Sequence, residues 1–436
     1  MILGLVRQAL RRHPWTFVGP ACTQALAATI VTASLGLQSS LPAGQESSLT
    51  VVAPLFVLIS VYLSLIIVGV TMGSAISRQA RDIALVKTIG AGPGQVRRAI
   101  ALQAAVVSVP ATLAGAALGS LVGRWWVAGL VANDVAPASV VFHAHPAALP
   151  IAFAVTVPTS LLGALLAAIR LSRVRPAAAM SDTAVPRRNI GIIRTGAGLL
   201  FAAAGIVAAQ QIATMNAEDA GGSAFIVMLA MCIAAGLLGP VLLRAGAPLA
   251  RLFGRTGAIA ATSLAVRSRS LSGALVPLSL ATSFATVKVA MHTTVAHVTG
   301  VDEARDVLWL DYSGTVVYSA FATVAALATL VTVTMGRRQE FATVRLTGAT
   351  KAQALRIVAC EAFVVVVTGL LVAAGAAATL LVPLLHASLG VTMPYLPAGA
   401  IIAGVLGVVL VVGLGMLLPA AVLLRRRPLE AVSVDA

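Results

Sequence analysis

Long apolar runs separated by short polar ones set the pattern of this chain. A hydrocarbon core of about 30 Å takes roughly 20 helical residues to cross. Ten runs are long enough, near 15–36, 51–76, 99–130, 147–170, 192–213, 223–245, 271–292, 312–335, 358–384 and 397–424. They are continuously apolar and not alternating, so they predict helices and not the strands of a barrel. The run 99–130 exceeds what a perpendicular span needs and predicts a helix that tilts or projects beyond the bilayer.

A charged segment between the second and third runs returns between the eighth and ninth, 258 residues later. The first copy, Asp82 to Val109, reads DIALVKTIGAGPGQVRRAIALQAAVVSV; the second, Glu340 to Val367, reads EFATVRLTGATKAQALRIVACEAFVVVV. Of 28 aligned positions 11 are identical, and the polar identities Gly90/Gly348, Gln95/Gln353 and Arg98/Arg356 do not follow from hydrophobic bias. Asp82/Glu340 and Lys87/Arg345 keep their charge. The duplication organises the runs as four plus two plus four, with two same-sense units, because four spans return the chain to its starting side. Each unit opens with a basic amphipathic stretch, 5–13 and 264–270, and closes with arginine and proline, Arg173, Arg175 and Pro176 or Arg425 to Pro428. The expected division is 1–180, a linker with two extra spans over 181–260, and 261–436.

Composition agrees with a membrane location. With 59% hydrophobic and 10% charged residues and a mean hydropathy of +0.99, a chain of 436 residues lacks the polar surface of a soluble domain. The net charge of +16 would point to nucleic acid in a soluble protein, but its distribution argues otherwise. With the N-terminus inside, 27 of the 30 basic residues fall on the cytoplasmic side, as membrane insertion favours. Trp125, Trp126, Trp309 and Tyr395 then mark outer span ends. Both termini are expected inside, and no sizeable extracellular domain fits in the short outer loops. Cys22, Cys232 and Cys360 lie in apolar stretches and form no ligand set.

The repeated segment resembles the FtsX-like permease family, the membrane subunits of the MacB and LolC/LolE kind of ABC transporter. The resemblance rests on an acidic residue, an apolar stretch, a basic residue and a Leu-Gly-Ala-like turn after the second span. Those positions are Asp82, Lys87 and Ile89-Gly90-Ala91, then Glu340, Arg345 and Thr347-Gly348-Ala349. The closing Arg427-Pro428-Leu429-Glu430-Ala431 also matches, whereas Arg175-Pro176-Ala177-Ala178-Ala179 lacks the acidic residue. The chain has neither the large domain between the first two spans nor the fused ATPase of MacB. It contains no G-x-x-x-x-G-K-[ST], so no catalytic residue and no cofactor is expected in it. The resemblance implies a separate cytoplasmic ABC ATPase, two copies with one beneath each unit, carrying ATP and Mg.

The residues themselves suit a lever. The segment 78–98 extends the second span inward, breaks at Gly90-Ala91-Gly92-Pro93-Gly94 and returns as the third span. Its second copy turns at Gly348-Ala349-Thr350, a less flexible version. The candidate coupling residues are Arg81, Asp82, Lys87, Gly90, Ala91 and Arg98 in the first copy, with Glu340, Arg345, Gly348, Ala349 and Arg356 in the second. Their charges offer ion pairs across a subunit interface; the alternative is ordinary positive-inside loop charge. Gln103 and Glu361 are equivalent positions near inner span ends. An intramembrane carboxylate is a functional candidate, but Glu361 also lies one turn from Arg356 and suits a pair with it. Lys288 either snorkels outward, pairs structurally, or faces a cavity toward Asp311 or an acidic substrate. His143-Ala144-His145 would start a metal site only with a third ligand, and no metal is expected. The small-residue runs 115–119 and 373–378 are packing surfaces.

The favoured function is a permease of a bacterial cell membrane that removes a lipophilic or amphiphilic compound, such as an antimicrobial peptide, antibiotic or lipid-like molecule, from the bilayer. A second is a mechanotransmitting signalling or scaffold protein controlling an extracellular partner, which the short outer loops weaken. A third is an ion-coupled secondary transporter, which would need intramembrane carboxylates and usually inverted repeats.

Overall fold

The computed structural model describes residues 14–40, 57, 58, 60, 61, 64, 65, 67–69, 71–73, 75, 76, 79, 83–85, 88, 90–172, 191–212, 217–301 and 303–425. Among the described residues there is no strand, and the protein is an all-α membrane protein. The principal helices are α1 (Pro14–Ser40), α2 (Pro93–Ala132), α3 (Ala148–Ser172), α4 (Ile192–Ile212), α5 (Ala217–Gly246), α6 (Gly254–Thr299), α7 (Arg305–Met335), α8 (Arg338–Leu346), α9 (Lys351–Leu389) and α10 (Ala398–Arg425). Eight described stretches are long and apolar enough to cross a membrane, and one of them, Ile226–Thr299, holds two helices, α5 and α6. The expected span 51–76 lies mostly outside the described residues; those described between 57 and 76 are helical.

The chain forms two compact units, Met1–Val185 with Glu303–Phe321 and Pro186–Asp302 with Ala322–Ala436. Within each, the same pairing recurs. In the first unit α1 packs along α2, and α2 along α3. In the second α6 packs along α9, and α9 along α10, with α4 and α5 added against α6 and α9. The two extra helices are therefore built into the second unit. Pro240 deprives the Gly236 carbonyl of its usual intrahelical donor. Arg194 of α4 takes that place, donating to Gly236 O at 2.7 Å and Leu237 O at 3.1 Å.

Both α2, 40 residues, and α9, 39 residues, are about 60 Å long at 1.5 Å per residue, twice the hydrocarbon thickness. The long third run forms one continuous helix, and its partner in the second unit does the same. In α2 the small residues let α1 approach to backbone contact. A Cβ on Gly115 would collide with the Ala25 carbonyl, and one on Gly119 would lie 2.6 Å from Thr29 O. Thr29 Oγ1 seals the crossing by donating to Gly115 O at 3.0 Å. The matching positions in α9, Ala373 and Ala377, are likewise buried. Close approach of this kind replaces the hydrophobic drive that lipid removes.

Both units bury apolar clusters together with hydroxyls, and they differ at matched positions. The first unit buries hydroxyls and an amide: Ser108 Oγ donates to Gln24 Oε1 at 3.0 Å and lies 2.9 Å from Ser160 Oγ, which can donate to it. Thr112 meets Thr156 at 2.8 Å, Thr23 meets Thr71 at 3.0 Å and Ser34 meets Ser60 at 2.9 Å. In the second unit the main cluster is apolar, running from Leu243 through Leu264, Leu275, Leu330, Val358 and Val365 to Met416. Residues 258 positions after Ser108 and Thr112 are Val366 and Leu370.

Gly115→Leu is expected to lower the thermal stability of the detergent-purified protein by about 1–3 kcal/mol through overpacking at the α1–α2 crossing. Gly375→Leu, where a Cβ meets nothing within 4 Å, should leave the melting curve unchanged.

Candidate functional site

The repeated segments are two elbows built to one backbone plan. Gln79 N donates to Ile76 O and Ile83 N to Gln79 O, each at 3.0 Å. In the second unit Arg337 N donates to Thr334 O and Phe341 N to Arg337 O, again at 3.0 Å. These are the same bonds, 258 residues on. Each elbow then turns at a glycine with positive φ, Gly90 at 103° and Gly348 at 96°. There an L side chain is strained whatever the space around it, and a Cβ on either glycine meets nothing within 4 Å. Gly348 N donates to Arg345 O at 3.1 Å and Ala349 N to Val344 O at 3.2 Å, the paired bonds that close a helix at a left-handed residue. The Gly90 and Gly348 identity is therefore a backbone requirement.

The glutamine identity has the same origin. Gln95 Oε1 accepts from Gly92 N at 3.2 Å, and Gln353 Oε1 accepts from Thr350 N at 2.9 Å. Thr350 Oγ1 in turn accepts from Gln353 N at 3.2 Å, a reciprocal cap at the start of α9. Gln95 and Gln353 serve the helix N-termini. Arg98 and Arg356, one and a half turns into α2 and α9, are exposed.

The second elbow is tied to its bundle by charge. Arg337, in the turn between α7 and α8, forks onto Glu361 of α9, with Nη2 donating to Oε1 at 2.9 Å and Nη1 to Oε2. Its Nη2 also reaches Glu340 Oε1 at 3.2 Å and Ser263 Oγ at 3.4 Å. Arg267 of α6 pairs with Glu340 Oε2 from the other side. The Arg337 guanidinium lies 4.9 Å from the centre of the Phe341 ring. Arg337 is 7% exposed and Glu361 fully buried, so this pair neutralises itself out of water, while Arg267 and Glu340 complete the network at its part-exposed edge. The network joins α6, α8 and α9. The partner of Glu361 is Arg337 and not Arg356, because Arg356 sits on the solvent face of α9 while Glu361 points into the bundle.

Arg345 is also engaged: its Nη1 donates to Leu424 O at 3.2 Å, capping the carbonyl end of α10. With Glu340 and Arg345 drawn toward the bundle and Phe341 and Ala342 buried, the outer face of α8 consists of Gln339, Thr343 and Leu346, followed by Thr347 and Gly348. Ala349 is half-buried. Leu346 is 55% exposed, and in the first elbow Leu85 is 40% exposed. Arg81, Asp82 and Lys87 lie outside the described residues, as do 1–13, 173–190 and 426–436. In the first elbow Gly90 is exposed and Ala91 half-buried.

Of the remaining candidates, Gln103 holds in the first unit the position of Glu361, and Lys288 and the histidines lie apart from the elbows. Lys288 is half-buried on α6, 21 residues beyond Arg267. Gln103 is 5% exposed. His145 Nδ1 accepts from Ala147 N at 3.1 Å, and among the described residues no group of three His, Cys, Asp or Glu side chains is placed to hold a metal.

The model of the FtsX-like permease C-terminal domain matches residues 54–176 and again 313–428, together more than half of the chain. The chain belongs to the FtsX-like permease family. Each match starts in the second span of a unit and ends beyond its fourth, so each contains one complete elbow. The family supports an ABC permease type of role, generally with a cytoplasmic ABC ATPase, and a place in a bacterial inner membrane. No curated protein matches this sequence.

Arg337, Arg267 and Gln79 escaped the sequence reading. A signal existed: Gln79 and Gln103 become Arg337 and Glu361 at the same spacing in the second copy, two neutral residues replaced by two of opposite charge.

Removing one member of a buried ion pair strands the other in a site that cannot solvate it, at about 3–5 kcal/mol. Glu361→Ala is expected to lower stability by that order in a thermal melt of the purified FtsX-like permease. The double replacement Arg337→Met with Glu361→Leu, which removes both charges and keeps the bulk, should cost less than either single loss.

Proposed function

We propose that this FtsX-like permease is the membrane subunit of an ABC transporter. In this reading it has ten spans with both termini cytoplasmic. A separate ATPase, present in two copies, docks one subunit on each elbow. The chain itself performs no catalysis; the partner binds ATP and Mg. Closure of the ATPase pair pushes on the elbows, and the long helices α2 and α9 carry the displacement into the bilayer. The cargo is a lipophilic or amphiphilic compound, peptide, antibiotic or lipid-like, taken from the membrane.

The observation that carries the docking reading is the face of α8. Glu340 and Arg345 are engaged with the bundle, and outward lies a short polar surface with one prominent leucine, Leu346, beside the turn at Gly348. An exposed leucine at a helix end is unremarkable singly. Each elbow offers one such leucine, at positions one helical turn apart in the repeat (Leu85 corresponds to Thr343, Leu346 to Thr88), and each suits an apolar anchor for a partner on its own elbow. The family match supports the partner class. Few charged side chains line the spans, which supports a cargo moved by rearrangement of helices and not through a charged channel.

Leu85→Asp combined with Leu346→Asp is expected to reduce co-purification of the cognate ATPase at least tenfold. The permease itself should still elute as a monodisperse species with an unchanged melt. Arg98→Glu with Arg356→Glu gives a second readout at the same surface, weaker and salt-dependent. Retained ATPase binding in the leucine double variant would remove the anchor from the proposal.

A further inference from the structure

A short 3-10 helix, Ala247–Phe253, joins α5 to α6. Ala247 and Ala250 are buried in it, whereas Leu249, Leu252 and Phe253 are exposed, Leu252 to 78%. The first turns of α6 keep this division. Gly257, Ala260, Ala261, Leu264 and Ser268 are buried, and Arg255, Ile259, Thr262, Val266 and Arg269 are exposed. Spacings of three and four residues put each set on its own side of the helix. An open face that mixes large apolar residues with arginine suits a membrane–water boundary, where the bodies of side chains lie in hydrocarbon and charged ends reach water.

Two contacts fix the level of this segment. The Phe253 ring stands edge-on to Phe363 of α9, with 5.1 Å between centres, and a Cβ on Gly369 of α9 would lie 2.9 Å from Leu278 of α6. The six residues from Phe363 to Gly369 cover about 9 Å of α9, but the 25 residues from Phe253 to Leu278 would cover about 37 Å as a straight helix. Side chains cannot bridge that difference, so α6 bends and its first turns stay beside α9 instead of running on away from the bilayer. Phe363 and Leu371, both exposed, belong to the lipid-facing stripe of α9. Phe253 extends a surface that already meets acyl chains.

The charge on this segment is one-sided. From Gly221 to Val301 the chain has no aspartate or glutamate, and five arginines fall between 244 and 269. Arg244 donates to Ala265 O and Ser268 Oγ, and Arg267 pairs with Glu340. Arg251 and Arg255 are exposed, and among the described residues no ion pair or hydrogen bond engages either guanidinium. Cations without a carboxylate, beside an open apolar patch that continues a lipid-facing stripe, call for an anion that carries hydrocarbon.

We propose that this segment binds an anionic phospholipid at the membrane surface on the elbow side. Leu249, Leu252, Phe253 and Phe363 meet its acyl chains, and Arg251 and Arg255 meet its phosphate. A zwitterionic lipid brings the same chains, but its own ammonium offsets the phosphate, so the site selects by charge. An arginine near an anionic membrane surface strengthens binding roughly fivefold. The same stretch of α6 carries Ser263 and Arg267, which reach Arg337 and Glu340. Lipid held on its open face therefore supports the charge network of the second elbow from the bilayer side.

Native mass spectrometry of the full-length permease tests this without any ATPase. The protein, purified in detergent and stripped of lipid, is titrated with dioleoylphosphatidylglycerol or dioleoylphosphatidylcholine. The wild type is expected to hold the glycerol lipid at least tenfold more tightly than the choline lipid. Arg251→Gln with Arg255→Gln should cut that preference at least fivefold and leave choline-lipid binding unchanged. Leu252→Ser should weaken both lipids alike. Arg425→Gln, which removes an exposed arginine at the end of α10, should change neither. If the double variant fails to fold, Arg251→Gln and Arg255→Gln taken singly should each cut the preference at least twofold.

Equal retention of the two lipids by the wild type, or an undiminished preference in the arginine variants, overturns the proposal. An equal loss in Arg425→Gln also overturns it, since diffuse positive charge would then account for the preference. Arginine variants that keep the lipid preference but lose co-purification with the cognate ATPase would assign the patch to a protein partner and overturn the lipid assignment.

Discussion

A charge buried at the edge of a bilayer must be answered by another charge, and in this protein that requirement decides the geometry of the second elbow. Glu361 is fully buried on α9, and the only low-energy arrangement is one that brings a guanidinium to it. Arg337 supplies it from the turn that ends α7, which fixes where α8 begins and which way it faces. Glu340, one turn along, is drawn in by the same arginine and by Arg267. Once those side chains point inward, the opposite face of α8 must point out. The polar surface available to a partner is thus a consequence of what the interior demands.

The duplicated segment keeps what the backbone requires and varies what the side chains do. Positive φ at Gly90 and Gly348 and the capping glutamines Gln95 and Gln353 recur because a helix cannot be ended and restarted within a few residues without satisfying its free amides and carbonyls. The interiors carry no such obligation. Ser108 and Thr112 of the first unit correspond to Val366 and Leu370 of the second, and the helix pairing is the same in both. Matched positions of different chemistry thus support the same helix pairing, with Ser108 and Thr112 bonded to Gln24, Ser160 and Thr156 in the first unit.

Much of this was legible in the sequence, for identifiable reasons. Span positions follow from long apolar runs, and the turns follow from glycine at matched places in two copies, which is a local signal. The unusual length of the third helix was legible from its apolar run. The roles of the charged residues were not. Glu361 was weighed against Arg356, a neighbour along the same helix, and its partner is Arg337, 24 residues earlier on another element. Arg345 meets the Leu424 carbonyl, 79 residues away. Contacts of that kind depend on how helices are arranged in space, and helical periodicity speaks only to neighbours within one helix. Gln95 and Gln353 were legible as conserved between copies but not as caps, because a cap depends on where the preceding turn ends.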